Sequence, residues 1–276
     1  MAYEREAGVL AGAVRQAGEA IKRHFVEGAQ VYTKPDNSPV TDADLAANAI
    51  LMEQLGGAFP DDAILSEEAQ PDAAVNDAAR CWIIDPLDGT AYFVRQEPAF
   101  AVMVGLAVGG RPVVGAIYNP MTDELYAAVH GQGATVTRGG ETMPLRYPAV
   151  PYEAARLGVT PGSLRTLTTG TPRWTDDPAR FTLTGLNFGF RPEALDKTFD
   201  AYIGWIASPN VGGYPWDLCA TDLIIHEAGG VLTDIYGQQH QFRRIHERVH
   251  GGIVAARDPA LHAEVLRRLE TADRKE

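Results

Sequence analysis

The chain has 276 residues, of which 45% are hydrophobic and 22% charged, enough for one large domain or two small ones with a real core, and too apolar for a disordered chain. Asp plus Glu number 36 against 24 Lys plus Arg, a net charge of −12 that repels nucleic-acid backbones and anionic membranes. The longest apolar run, residues 100–108, has nine residues, where a membrane-spanning helix needs about 20. Glu4, Arg5 and Glu6 stand where the apolar stretch of a signal peptide would begin, and the two cysteines, Cys81 and Cys219, read as separate buried thiols. The expectation is a soluble cytoplasmic protein with no nucleic-acid polymer and no membrane among its partners.

In chain order, residues 3–26 carry Val9, Ala13, Ala17, Ala20 and Ile21 near one face and predict a helix. Lys34-Pro35-Asp36-Asn37-Ser38-Pro39 is a loop by its proline and Asx content. Thr41 or Asp42 caps a second helix through Leu45, Ile50, Leu51 and Leu55 that ends near Gly56-Gly57. Residues 63–65 and 81–84 read as short buried strands. Apolar runs at 100–108, 112–118 and 124–129, joined by Gly109-Gly110 and by Asn119-Pro120-Met121-Thr122-Asp123, read as hairpin-connected antiparallel strands. Beyond them the pattern predicts helices over 192–201, 216–228 and 258–272, with strands at 231–233 and 252–256. Helices around a mostly antiparallel set of strands argue an α+β fold. The division is expected near residues 148–151: a half at 1–148 with the first helices and the antiparallel sheet, and an αβ half at 149–276.

Four acidic sites stand beside features that would fix them. Glu67-Glu68 follows one strand, and Asp85-Pro86-Leu87-Asp88-Gly89-Thr90 follows another. Asp217 opens a helix, and Asp44 lies in the first turn of the second helix. The Asp85–Gly89 segment predicts a tight turn that faces both carboxylates and the Leu87 carbonyl toward one point. Hard divalent cations such as Mg²⁺ take such an all-oxygen set, and clustered carboxylates need a cation to stay ionised together. The amides of Gly89 and Thr90, at a helix start, suit a phosphate. Each site taken alone also reads as a turn, a helix cap or a surface acid; the conjunction is what points to a metal site.

Trp82-Ile83-Ile84 followed by Asp85-Pro86-Leu87-Asp88-Gly89-Thr90 resembles the first signature of the inositol monophosphatase family, a group related to fructose bisphosphatases and bisphosphate nucleotidases. Trp216-Asp217 with Glu227-Ala228-Gly229-Gly230 resembles the second signature. Lys34 with Ser38-Pro39-Val40-Thr41-Asp42-Ala43-Asp44, and Leu65-Ser66-Glu67-Glu68, match two further elements in order. The resemblance implies a layered α/β/α/β sandwich and a Mg²⁺-dependent phosphomonoesterase that hydrolyses a small phosphorylated metabolite, such as an inositol or sugar phosphate, by metal-activated water. It further implies two or three Mg²⁺ ions, with Mn²⁺ as a substitute, lithium sensitivity and a homodimer. Glu67, Asp85, Asp88, Asp217 and the Leu87 carbonyl would ligate metal. Asp88, Gly89, Thr90 and Asp217 would face the substrate. Thr90, polarised by Asp44, would orient the attacking water, with Glu67 also in the catalytic set. Lys34 lies near a matching outer position.

The chain departs from the pattern at three places. Leu218-Cys219-Ala220-Thr221-Asp222 stands where the family keeps small residues and a glycine. Asn210 stands where inositol-preferring members place a glutamate toward the substrate hydroxyls. The segment 181–209 matches poorly; in it and before it Arg191 and Arg173 are candidates for a second phosphate and its aromatics for stacking on a base. Alternatives follow: a 3'(2'),5'-bisphosphate nucleotidase of the same superfamily, or a non-catalytic metal- and phosphate-binding or protein-partner role. His246-Glu247-Arg248-Val249-His250 formally matches a zinc-peptidase pattern, but Gly251-Gly252 leaves it about one helical turn.

Overall fold

The computed structural model describes residues 2–70, 73–169, 178–184, 191–204, 213–242 and 251–273. The chain divides into two compact units: Met1–Leu145 with Pro215–Ile224 and Phe242–His246, and Arg146–Tyr214 with Ile225–Gln241 and Glu247–Glu276. The segment that carries Trp216 and Asp217, residues 215–224, groups with Met1–Leu145 and not with the residues that flank it in the chain.

The first unit begins with α1 (Glu4–Glu27), then a small hairpin of β1 (Val31–Thr33) and β2 (Pro39–Thr41), then α2 (Asp42–Ala58). There follow β3 (Ala63–Ser66), β4 (Arg80–Asp88), the single turn α3 (Thr90–Val94), and the strands β5 (Ala101–Val108), β6 (Arg111–Asn119), β7 (Glu124–Val129), β8 (Ala134–Arg138) and β9 (Glu141–Leu145). β3 to β9 form a seven-stranded sheet in sequence order; β3 and β4 are parallel and every later pair is antiparallel.

The predicted α2 is present, and of the leucines and isoleucine named for it Leu51 and Leu55 are buried. Leu45 is exposed, and the inward stripe is Ala43, Ala47, Leu51 and Leu55. The four-residue spacing of that stripe keeps it on one face, and the same spacing brings Asp44 and Asn48 onto neighbouring positions. Leu10, Val14, Ala17 and Ile21 of α1 join this stripe and Trp82, Ile84, Val102, Val104 and Leu106 of the sheet in one core. Each large aliphatic side chain so buried contributes roughly 1.5–3 kcal/mol. Residues 215–224 meet the sheet through its glycines: a Cβ on Gly115 would stand 3.1 Å from the Ala220 Cα, so only glycine admits this backbone approach.

The second unit contains β10 (Leu157–Val159), α4 (Pro161–Thr169), β11 (Phe181–Leu183), α5 (Pro192–Lys197), β12 (Ala201–Gly204), the later part of α6 (Pro215–Glu227), β13 (Val231–Thr233), β14 (Ile253–Ala256) and α7 (Pro259–Asp273). Its five strands run in the order β11-β10-β12-β14-β13, with β10 parallel to both neighbours. The helix expected over 192–201 stops early. The Arg156 carbonyl accepts the amides of Asp200 and Ala201, and the Asp200 carboxylate accepts the Arg156 amide at 2.7 Å, which draws the chain into β12. Mixed sheets with helices make the chain α+β, as expected. Cys81 and Cys219 are buried free thiols. Among the described residues no helix is long and apolar enough to cross a membrane.

Candidate metal centre

The site is built on an irregularity in β4. Asp85 pairs with Met103 and Asp88 with Ala101, so three residue steps on β4 oppose two on β5. Pro86 has no N–H to give the ladder, and the extra residue forms a bulge. In a regular strand residues three apart face opposite sides; the bulge cancels that alternation and turns Asp85 and Asp88 the same way. Asp85 Oδ1 accepts the Leu87 amide at 3.0 Å, which fixes the turn from within. Gly89 then takes φ 95°, and a Cβ there would stand 2.8 Å from the Ala99 carbonyl oxygen. A side chain at this position is excluded twice, by backbone conformation and by space.

α6 brings Asp217 to the same place from its first turn. Carboxylate oxygens of Asp85, Asp88 and Asp217 all lie within 4.8 Å of one another. Asp85 is buried, and its carboxyl is held well above the usual carboxylate range by burial first and then by Glu67, Asp88 and Asp217. Three hard oxygen donors that repel one another while converging fit a hard divalent cation of the Mg²⁺, Ca²⁺ or Mn²⁺ type. The Leu87 carbonyl oxygen lies 3.0 Å from Thr90 Oγ1, and its lone pairs leave it a capable ligand.

The Thr90 hydroxyl also stands 2.9 Å from Asp44 Oδ1. Asp44 is held in turn by Thr41, whose amide and hydroxyl donate to its Oδ2 at 2.8 and 2.6 Å. This reciprocal cap starts α2 and aims Asp44 at once. Burial raises the Asp44 carboxyl, and the bonds from Thr41 and Thr90 oppose that rise.

Glu67 stands outside the aspartate triad. Its Oε1 accepts the Lys34 ammonium at 2.7 Å, and Glu68 Oε1 accepts the same ammonium at 2.5 Å. Burial raises both carboxyls against the pull of Lys34, Glu68 to about 7, while the two glutamates overcome burial to raise Lys34. Ser66, one residue before, donates to Asn48 Oδ1 at 2.7 Å and accepts the Glu68 amide at 3.3 Å. Asn48, one turn beyond Asp44 on α2, escaped the sequence reading; its four-residue spacing from Asp44 was the available signal.

The structure thus gathers Asp44, Asp85, Leu87, Asp88, Thr90 and Asp217 around one turn, with Glu67 alongside on Lys34. Asn210, Arg173 and the His246–His250 pattern lie outside the described residues. Arg191 is no open phosphate site: its side chain is fully buried, with its guanidinium 3.5 Å from Glu193. Tyr202 is likewise buried within β12 and presents no stacking face. Asp222 pairs with Arg111 at 3.6 Å rather than with the triad.

The description of the inositol monophosphatase family matches residues 3–172 and 196–274. The chain belongs to that family. Nus factor SuhB of Salmonella typhimurium is 30% identical over 245 residues, covering 82% of this chain and 83% of that protein. Histidinol-phosphatase of Mycobacterium tuberculosis is 32% identical over 245 residues, covering 87% and 88%. The crystal structure of extragenic suppressor protein suhB from Bartonella henselae superposes with a TM-score of 0.75 at 26% identity, covering 95% of this chain and 97% of that one. The inositol monophosphatase fold, a layered α+β sandwich, is therefore the fold of this chain, and the converging acids are a cluster able to hold metal within a phosphatase family.

Proposed function

We propose that the protein is a divalent-cation-dependent phosphomonoesterase acting on a small phosphorylated metabolite, with inositol and sugar phosphates the first class and nucleoside bisphosphates the second. The observation that carries this reading is the convergence of Asp85, Asp88 and Asp217 within 4.8 Å beside the Asp44–Thr90 pair. Asp85, Asp88, Asp217, the Leu87 carbonyl and Glu67 would hold the cation, with Mg²⁺ the natural choice for an all-oxygen set. Bound there, it supplies Lewis-acid polarisation of phosphoryl oxygens and acidifies water.

The chain's own groups do the positioning. The Thr90 hydroxyl has one proton and two near acceptors, Asp44 Oδ1 and the Leu87 carbonyl. Donating to Asp44 commits that proton and leaves the Oγ1 lone pairs to accept from an attacking water, which fixes its orientation. Asp44 is thereby the group toward which the water's proton moves through Thr90. The amides of Gly89 and Thr90 would receive the phosphate. In this reading the enzyme is cytoplasmic, as its composition argues, and dimeric, as the family resemblance implies.

A second reading comes from the relatives named Nus factor SuhB: a role exercised through a macromolecular partner, with or without turnover. Phosphate release from inositol phosphates, fructose bisphosphate, histidinol phosphate, nucleoside monophosphates and adenosine bisphosphate, with Mg²⁺ and after chelation, separates the two. Cation-dependent release supports the enzyme and names its substrate. Absence of release across the panel from folded, Mg²⁺-supplied protein supports the partner role.

A further inference from the structure

We infer that Asn48 is a positioning residue for Glu67: from helix α2, through the Ser66 hydroxyl, it fixes the place at which the backbone presents that carboxylate. The inference rests on the reading above that Glu67 joins Asp85, Asp88 and Asp217 in holding a cation. β3 ends at Ser66, which stands opposite Ile84 on β4, so Glu67 is the first residue beyond the strand. The two peptide N–H groups on either side of the Glu67 Cα are both held. Its own donates to the Ile84 carbonyl at 3.1 Å, one residue before Asp85. The next, on Glu68, donates to Ser66 Oγ at 3.3 Å. Ser66 is 3% exposed, and its hydroxyl has one proton to place. Asn48 Oδ1 accepts that proton at 2.7 Å, which leaves the hydroxyl lone pairs for the Glu68 amide. Without Asn48 the hydroxyl is free to rotate, and the amide loses a fixed acceptor.

The same helix grips both ends of the site. Asp44, four residues before Asn48, meets Thr90 Oγ1 at 2.9 Å in the turn after β4. Asn48 meets Ser66 at the end of β3. Four residues make about one helical turn, so both side chains rise from one face of α2. β3 and β4 are parallel neighbours, and a helix that holds the end of each fixes the spacing between the Glu67 turn and the Asp85–Thr90 turn. Asparagine suits this task better than an acid. Its Oδ1 accepts as a carboxylate oxygen does, yet it adds no negative charge to the group formed by Asp44, Glu67 and Glu68. Outer hydrogen bonds of this kind orient metal ligands, and their loss typically lowers metal affinity by about 10–100-fold.

The test is calorimetric titration of Mg²⁺ into the full chelator-treated chain, with thermal unfolding recorded for each protein: wild type, Asn48→Ala, Ser66→Ala, the double variant and Ser66→Thr. Asn48 is half-buried on a helix, where alanine is the best helix former, so Asn48→Ala folds. Asn48→Ala and Ser66→Ala are each expected to weaken Mg²⁺ binding by about tenfold. The double variant stays within about twofold of the weaker single, because both substitutions remove one link. Ser66→Thr keeps the hydroxyl and stays within about threefold of wild type. In phosphate release the Mg²⁺ concentration for half-maximal rate moves with the affinity, while KM at saturating Mg²⁺ changes by less than about twofold. Single variants that unfold at lower temperature yet bind Mg²⁺ as tightly as wild type overturn the inference, since Asn48 then only braces the fold. Losses that add in the double variant overturn it too, since the two side chains then act apart. In both cases wild type binds Mg²⁺ and the metal centre stands. A wild-type chain that binds no Mg²⁺ overturns the metal centre itself, and the inference with it.

Discussion

Asp85 in the first unit and Asp200 in the second are both buried aspartates, and their surroundings push them in opposite directions. Asp85 faces Glu67, Asp88 and Asp217, and burial with these neighbours raises its carboxyl far above the usual range. Asp200 is met by Arg156 Nε at 2.9 Å and by Arg257 Nη1 at 2.9 Å. Burial raises it too, but the Arg156 hydrogen bonds and the two guanidinium charges bring its carboxyl below the ordinary value. The second unit has closed its charge balance with residues of its own. The first has brought Asp85, Asp88 and Asp217 together as like charges that a bound divalent cation would neutralise, while Lys34 meets the neighbouring Glu67.

Substitutions should separate the two. Asp88→Asn is expected to lower phosphate release by at least on the order of 10²-fold while thermal unfolding holds or improves, because a repelling charge is gone. Asp44→Asn and Thr90→Val should each cost roughly 10²–10³-fold in kcat with a smaller change in KM, since they disturb the orientation of water rather than the retention of substrate. Asp200→Asn should do the reverse: activity at saturating Mg²⁺ is kept, and stability falls by about 2–3 kcal/mol in denaturant titrations, discounted because Arg156 is half exposed.

The pH dependence of stability extends the contrast. Asp200, lowered on folding, contributes fully above the unfolded carboxylate's 3.8 and loses that contribution as pH falls through its folded value. His262 is lowered from 6.5 to about 4, by burial and then by His226, with its Nε2 2.8 Å from Thr233 Oγ1. The unfolded chain therefore binds the extra proton between those values, and stability falls as pH drops through that window. The expected loss is roughly 2 kcal/mol by about pH 4.5, and His262→Asn should flatten it.

Much of the site was legible because its parts are local. The strand before Asp85, the proline that breaks the ladder, the glycine after Asp88 and the Thr41 cap are all written within a few residues of the groups they place. What escaped was set by distance along the chain. Which face of α2 turns inward, leaving Leu45 exposed, is decided by the helix and sheet it packs on, residues far away in the chain. The hairpin of β1 and β2, and the contacts of Lys34 with Glu67 and of Asn48 with Ser66, join residues 33 and 18 positions apart, which spacing alone does not reveal. Asp200 ended a predicted helix for the same reason, through a bond to Arg156 44 residues earlier.

The most direct measurement is phosphate release by chelator-stripped wild-type protein on its best substrate as Mg²⁺ is returned stepwise. Release is expected at background without cation, with a saturable rise as Mg²⁺ is restored that is absent in Asp88→Asn. Release that ignores both chelation and Mg²⁺, or a rise of equal size in Asp88→Asn, would contradict the metal assignment.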